Sequence, residues 1–147
     1  PKQNMDQIFL KFLTKINDCS EGIFFNIEPL STRYCNYLNR FMECVELLEN
    51  QDFKWIGIQL DIRSILESNE DIQQILRQQN YIHHAHTGNP GMNMLGGIYE
   101  KEHRFIALTL RKAKYSKYLT AEILNNEGLQ ETKFLNEVID VMREYYE

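Results

Sequence analysis

Apolar residues recur every three or four positions in three stretches of the chain, and this spacing predicts amphipathic helices. These stretches are residues 4–17, 32–50 and about 130–147, and Thr32 is expected to be the N-cap of the second. A further helix, of about ten residues, is expected after Asn69 as its N-cap. Apolar segments of a different pattern separate the four helices.

The intervening segments favour β-strands, because they are short and rich in branched and aromatic side chains. The clearest is 54–62, where apolar and polar residues alternate. Segment 92–99 follows a turn at 87–91 and is expected to pair back on segment 81–86 as a hairpin. Segment 118–124 fits a strand or a helix. The other predicted strands are 23–27 and 104–110, and the second of these continues into a polar loop.

The order of these elements predicts a single domain over residues 1–147, in the α/β (α+β) class. We expect a mixed, largely antiparallel sheet covered by helices. The length of 147 residues fits one hydrophobic core. No internal repeat or linker of biased composition divides the chain.

Composition and charge argue against several classes of protein. The 16 basic and 21 acidic side chains give a net charge of −5, which argues against coating nucleic acid by bulk charge. No apolar run is long enough for a membrane span. The three cysteines, Cys19, Cys35 and Cys44, have neither disulfide-framework nor zinc-ribbon spacing. We therefore expect a reducing intracellular compartment, with cytoplasm, nucleus and mitochondrion all open.

Several short segments follow one another in an order that resembles a known family. They are Trp55-Ile56-Gly57-Ile58-Gln59-Leu60-Asp61-Ile62, Ile75-Leu76, Asn80-Tyr81-Ile82-His83-His84-Ala85 and Met94-Leu95. Over about residues 23–99 the chain resembles the pre-Nudix domain. That domain precedes the catalytic domain in Nudix proteins of the antisense basic fibroblast growth factor type and in their plant relatives. The resemblance implies a sheet similar to that of GNAT acetyltransferases.

The chain departs from that family at several positions. Asn80-Tyr81 stands where the family has Gly-Phe, and His86 stands where an acidic residue is common. The glutamates of a Nudix box, which hold catalytic metals, have no match here. A glycine loop that would cradle the pyrophosphate of coenzyme A at a helix start is also missing from the sequence.

These missing motifs favour a non-catalytic function. We expect a structural or protein-interaction subunit without a cofactor, binding a protein partner or forming a homodimer. The alternative is a domain that binds a CoA-type molecule or a nucleotide diphosphate with weak or no catalysis. Enzymatic activity is left open, with its absence favoured.

The residues singled out for interaction or ligand binding form two groups. In an extended strand His84 and His86 share a face, so two imidazoles could meet a metal, with His103 or a cysteine as third ligand. Buried or edge histidines are the favoured interpretation, and no metal is predicted. The interval 103–121, a predicted basic strand and loop, carries +5 and no acidic residue, which suits phosphate, an acidic protein or, least favoured, RNA. The candidates are His83, His84, His86, Arg104, Arg111, Lys112, Lys114 and Lys117.

Overall fold

The computed structural model describes residues 2–126 and 128–147. Helices and strands alternate along nearly the whole of this part of the chain. The helices are α1 (Lys2–Cys19), α2 (Phe41–Leu48), α3 (Ile62–Ser68), α4 (Ile72–Leu76), α5 (Glu100–Lys112) and α6 (Glu131–Tyr146). The strands are β1 (Phe25–Ile27), β2 (Ile56–Asp61), β3 (Ile82–Thr87) and β4 (Leu119–Ala121).

The four strands form one sheet in chain order, and every neighbouring pair is parallel. The predicted mixed, largely antiparallel sheet is therefore wrong. At least one helix lies between each strand and the next and carries the chain back to the same end of the sheet, which parallel pairing requires. Segment 92–99 is not a hairpin strand. Its Asn93 forms an isolated bridge with Asn89 in the preceding loop, and Gly97–Tyr99 is a short 3₁₀ turn.

The two faces of the sheet differ in chemistry. Ile58, Leu60 and Ala85 are fully buried and belong to the hydrophobic core, to which α2, α3, α4 and α5 contribute. Side chains alternate across a strand, so their neighbours point the other way. The register pairs Gln59 with His84 and also Asp61 with His86. The second face is thus polar near its carboxyl edge.

The predicted basic strand and loop over 103–121 is instead helix α5, a turn and strand β4. Four residues of α5 are buried at spacings of three and four, which is the helical period. They are His103, Ile106, Ala107 and Leu110. Acidic residues occupy the first turn and basic residues the last, so the side-chain charges complement the helix dipole.

Two predicted helices also begin at other residues than expected. Only Phe41–Leu48 of segment 32–50 is helical, so Thr32 caps no helix. Asn69 does not begin a helix. It ends α3 in the left-handed conformation (φ 50°), while Asp71 caps α4.

Within the described residues, no helix combines the length and the apolar character needed to cross a bilayer.

Candidate cation site at the carboxyl edge of the sheet

Each strand places one titratable side chain at the same edge of the sheet. Glu28 directly follows β1, and Asp61 is the last residue of β2. His86 lies beside Asp61 on β3, and Glu122 directly follows β4. Carboxyl ends of parallel strands share one edge, so these four residues converge although they are far apart in the sequence.

Three of these side chains could hold a metal ion. Glu28, His86 and Glu122 each offer one ligand atom, and the three atoms lie within 4.8 Å of one another. The distance from Nδ1 of His86 to Oε2 of Glu122 is 3.8 Å. Glu122 Oε2 is a buried atom with no hydrogen-bond partner among the described residues. The oxygen lies 3.3 Å from Nη2 of Arg63 but accepts no hydrogen bond there, so it can still coordinate a cation.

Asp61 is held by its own helix instead. One carboxylate oxygen accepts the backbone N–H of Arg63 at 3.0 Å, which caps α3. The other accepts from Nη2 of Arg63 and from the hydroxyl of Ser64, both at 2.9 Å. Both oxygens are thus engaged, so Asp61 contributes charge to the site rather than a free ligand.

Arg63 brings a positive charge into the same cluster. Its side chain is only 4% exposed. Besides Asp61, Nη2 lies 3.3 Å from Glu122 Oε2 and 4.0 Å from Glu28 Oε1. Its Nε and Nη1 atoms are buried without a hydrogen-bond partner in the described part of the chain. The guanidinium therefore faces three carboxylates.

The electrostatics of this cluster favour a divalent cation. With His86 neutral, three carboxylates opposite one guanidinium leave two uncompensated negative charges. Burial, followed by repulsion from Asp61 and Glu122, raises the pKa of Glu28 above its ordinary value. Carboxylate oxygens suit Mg²⁺, Ca²⁺ and Mn²⁺, whereas imidazole suits Zn²⁺, Fe²⁺ and similar transition-metal ions. The donor set, the residual charge and the orphaned oxygen all fit such an ion.

The predicted histidine group divides between different environments. The side-chain amide nitrogen of Gln59 lies 2.9 Å from Nδ1 of His86, and this contact orients the His86 ring. The ring of His84 lies 5.1 Å from that of His86, but its Nε2 meets the Thr120 hydroxyl at 2.9 Å. His83 packs against Phe24. Only His86 joins the cluster.

The residues predicted as a possible third metal ligand, His103 and the cysteines, lie outside the cluster of Glu28, His86 and Glu122. His103 is fully buried on α5, between Asn89 and Tyr146. Neither His103 nor any of the three cysteines is part of the cluster found among the described residues.

The predicted basic residues are not part of this cluster. Arg104 pairs with Glu100 and Glu144 on the outside of α5 and α6. Lys117 donates to the backbone carbonyl of Ile82, at the start of β3. The remaining candidates, Arg111, Lys112 and Lys114, lie at or just beyond the end of α5.

Sequence reasoning did not find Glu28, Asp61, Arg63 or Glu122 as functional residues. A signal was present, because Glu28 and Glu122 lie at strand ends and Asp61 lies in the clearest predicted strand. Parallel pairing would have brought them to one edge. The antiparallel arrangement predicted from the sequence would have placed them at different edges.

The fold is thus a parallel α/β arrangement with polar side chains at its carboxyl edge. No protein-family model and no curated protein sequence matches the chain. Solved structures do match. A D-psicose 3-epimerase superposes with a TM-score of 0.84 at 17% identity, over 99% of this chain and 58% of the epimerase.

Two further solved epimerases give the same result. The 3-keto-D-glucoside 4-epimerase of E. coli has a TM-score of 0.75 at 15% identity, over 97% of this chain and 53% of its own. The D-allulose 3-epimerase of a Methylomonas species has a TM-score of 0.75 at 15% identity, over 99% and 55%. The chain spans little more than half the length of these proteins.

These structures correct the family resemblance. The fold neighbours are TIM-barrel sugar epimerases, not GNAT-like pre-Nudix domains. The prediction of a non-catalytic subunit built on a pre-Nudix domain is wrong for the same reason. The tripeptide His83-His84-Ala85 carried that resemblance, and here it belongs to a strand of a parallel sheet.

Proposed function

We propose that this chain supplies a divalent-cation site to an enzyme that modifies a sugar. The observation that carries the proposal is the cluster of Glu28, His86 and Glu122, with ligand atoms within 4.8 Å of one another. In parallel α/β folds, sites are built at the carboxyl edge of the strands, where this cluster lies. Glu28, His86 and Glu122 would hold the cation.

The substrate class is supported by the fold neighbours and by the polar face of the sheet. The solved neighbours are named as epimerases of D-psicose, D-allulose and a 3-keto-D-glucoside. Gln59, His84 and Thr120 lie on the same face as His86 by the strand register. Their amide, imidazole and hydroxyl groups can both donate and accept hydrogen bonds, which suits a polyhydroxylated ligand.

A bound divalent cation would supply Lewis acidity, which polarises hydroxyl or carbonyl oxygens of a sugar. The chain's own residues would position that ion. Gln59 orients the His86 imidazole, and the hydrogen bonds around Asp61 fix the start of α3 beside it. Such supporting contacts commonly change metal affinity by about 10-fold to 100-fold.

The first experiment is a titration of the 147-residue chain with Mn²⁺, followed by calorimetry and by electron paramagnetic resonance. We expect one ion per chain. Glu122→Gln and His86→Gln should each weaken binding by about tenfold or more, because each removes one ligand. His84→Gln is the matched control and should bind as the wild type does. Equal binding by all four proteins would refute the cation site.

The second experiment tests the substrate class. The Mn²⁺-loaded chain is incubated with D-psicose, D-fructose and a 3-keto-D-glucoside, and epimer formation is followed by NMR. Turnover lost in Glu122→Gln but kept in Arg77→Gln, which changes an exposed arginine after α4, would support a sugar-modifying enzyme. Cation binding without any change to these sugars, by turnover or by NMR line broadening, would keep the cation site and reject the substrate class.

A further inference from the structure

Arg63 lies close to two carboxylates of the proposed cation site. Its guanidinium is buried, and its Nη2 atom lies within 4.0 Å of Glu28 and within 3.3 Å of Glu122. Both carboxylates are ligands in the proposed cation site. One positive group therefore already touches two of the three side chains that a cation would need.

The geometry also shows that Arg63 is incompletely satisfied. Its Nε and Nη1 atoms are buried and have no hydrogen-bond partner among the described residues. Only Nη2 and the backbone N–H bond to Asp61. The guanidinium is thus firmly tied to Asp61, whereas it lies near Glu122 and Glu28 without a hydrogen bond to either. Those two weaker contacts are the ones that a cation would replace.

We infer that Arg63 is a built-in counter-cation that competes with the divalent ion and sets the affinity of the site. This inference rests on the proposed function, since it concerns the same ligands. Without an ion, Arg63 offsets part of the charge of three carboxylates. An ion held by Glu28, His86 and Glu122 would be close to the guanidinium, and repulsion between the two positive charges would weaken binding. Arg63 is a tuning residue here and not a ligand.

The test removes the charge while keeping a hydrogen-bond donor. Arg63→Gln keeps a side-chain N–H donor near Asp61, so it is preferred to an apolar substitution. We expect Arg63→Gln to bind Mn²⁺ at least about tenfold more tightly than the wild type, because one nearby positive charge is gone. Arg63→Lys keeps the charge and should stay within about threefold of the wild type. Arg77→Gln, in an exposed arginine that follows α4, is the matched control and should change nothing.

The direction of the change distinguishes tuning from a structural role. Damage to the site would weaken Mn²⁺ binding, so tighter binding by Arg63→Gln supports the inference. A folded Arg63→Gln protein that binds no more tightly than the wild type overturns it and leaves the cation site standing. Absence of binding in both proteins overturns both proposals.

A folding defect would not leave the inference untested. If Arg63→Gln is unfolded without an ion, its far-ultraviolet circular dichroism is recorded during Mn²⁺ addition. Recovery of the helical signal at Mn²⁺ concentrations that saturate the wild type supports the inference. Failure to recover at those concentrations overturns it.

Discussion

His103 Nε2 lies 2.7 Å from Oδ1 of Asn89, which ties helix α5 to the loop after β3. An amide oxygen can only accept, so Nε2 carries the proton and Nδ1 accepts from the Tyr146 hydroxyl, also at 2.7 Å. Asn89 in turn donates to the backbone carbonyls of Met94 and Gly96. The neutral imidazole of His103 therefore connects helices α5 and α6 with the loop that follows β3.

Protonation of His103 should destabilise the fold. Burial lowers its pKa from about 6.5 to about 4, so below pH 6.5 the unfolded chain binds a proton that the folded chain excludes. The free energy of unfolding should fall by about 2 kcal/mol between pH 7 and pH 5 from this residue alone. Urea denaturation at both values, for wild type and His103→Gln, measures it.

His103→Gln cannot titrate in this range, so its stability deficit should shrink as the pH falls. His84→Gln serves as the comparison: burial also lowers the pKa of His84, but His84 is more exposed than His103, so its deficit should change less. A deficit for His103→Gln that is the same at pH 7 and pH 5 would contradict this assignment.

Replacing Glu28 should separate stability from cation binding. Its carboxylate is crowded by Asp61 and Glu122, and burial raises its pKa, so its charge disfavours the ion-free fold at neutral pH. Glu28→Gln should raise the melting temperature of the ion-free protein by about 1–3 °C. The same variant should bind Mn²⁺ about tenfold more weakly or worse. A lower melting temperature in the absence of ions would refute the crowding argument.

The two aspartate caps should differ sharply in their importance. Asp61 and Asp71 each cap a helix by accepting the backbone N–H of the residue two positions further along the chain. Only Asp61 also accepts a hydrogen bond from the buried side chain of an arginine, Arg63. Asp61→Asn removes the carboxylate that hydrogen-bonds the buried Arg63 side chain, and breaking this buried pair should cost about 3–5 kcal/mol. Asp71→Asn keeps an equivalent cap and should cost less than about 0.5 kcal/mol. Chemical denaturation of the two variants compares them, and similar losses would argue against a buried ion pair.

Gly88 should control the position of Glu122. A methyl group at Gly88 would come 2.6 Å from the backbone oxygen of Glu122, which is too close. Gly88→Ala should therefore displace Glu122, lower stability by about 1–3 kcal/mol and weaken Mn²⁺ binding. In Gly57→Ala the new methyl group meets the side chain of His83 instead. That control should lose stability but keep its Mn²⁺ affinity, as calorimetry can show.

Local sequence pattern predicted the elements whose signal is short-range. The stretches around α1 and α6 carry a helical apolar period, β2 lies within a segment predicted to be extended, and β3 overlaps another and ends one residue beyond it. Strand direction has no such local signal, which explains the wrong sheet type. Alternation of helix and strand is the better guide, and it favours a parallel sheet. Misassigning α5 as a strand hid that alternation, because Phe105 to Leu108 is a continuous apolar run that suits either structure.

The site was only partly predictable for a related reason. His86 was identified because three histidines stand close together in the sequence. Glu28 and Glu122 are isolated carboxylates with no neighbouring motif, and only the sheet brings them within reach of His86. Arg63 lay just past a predicted strand end, where the start of α3 buries it. A site to which each strand contributes one residue can be predicted only when the order and direction of the strands are known.

Each strand contributes one residue to the cluster, so the cluster forms only when the strands pair in the correct register. Alternate side chains point to opposite faces, so a slip of one residue in β3 would turn His86 away from Asp61 and bring Ala85 or Thr87 to the polar face. The same slip would bury an imidazole beneath the helices. Mn²⁺ binding therefore requires the correct strand register. A chain with a misaligned β3 would not bind the ion, although every ligand is present in its sequence.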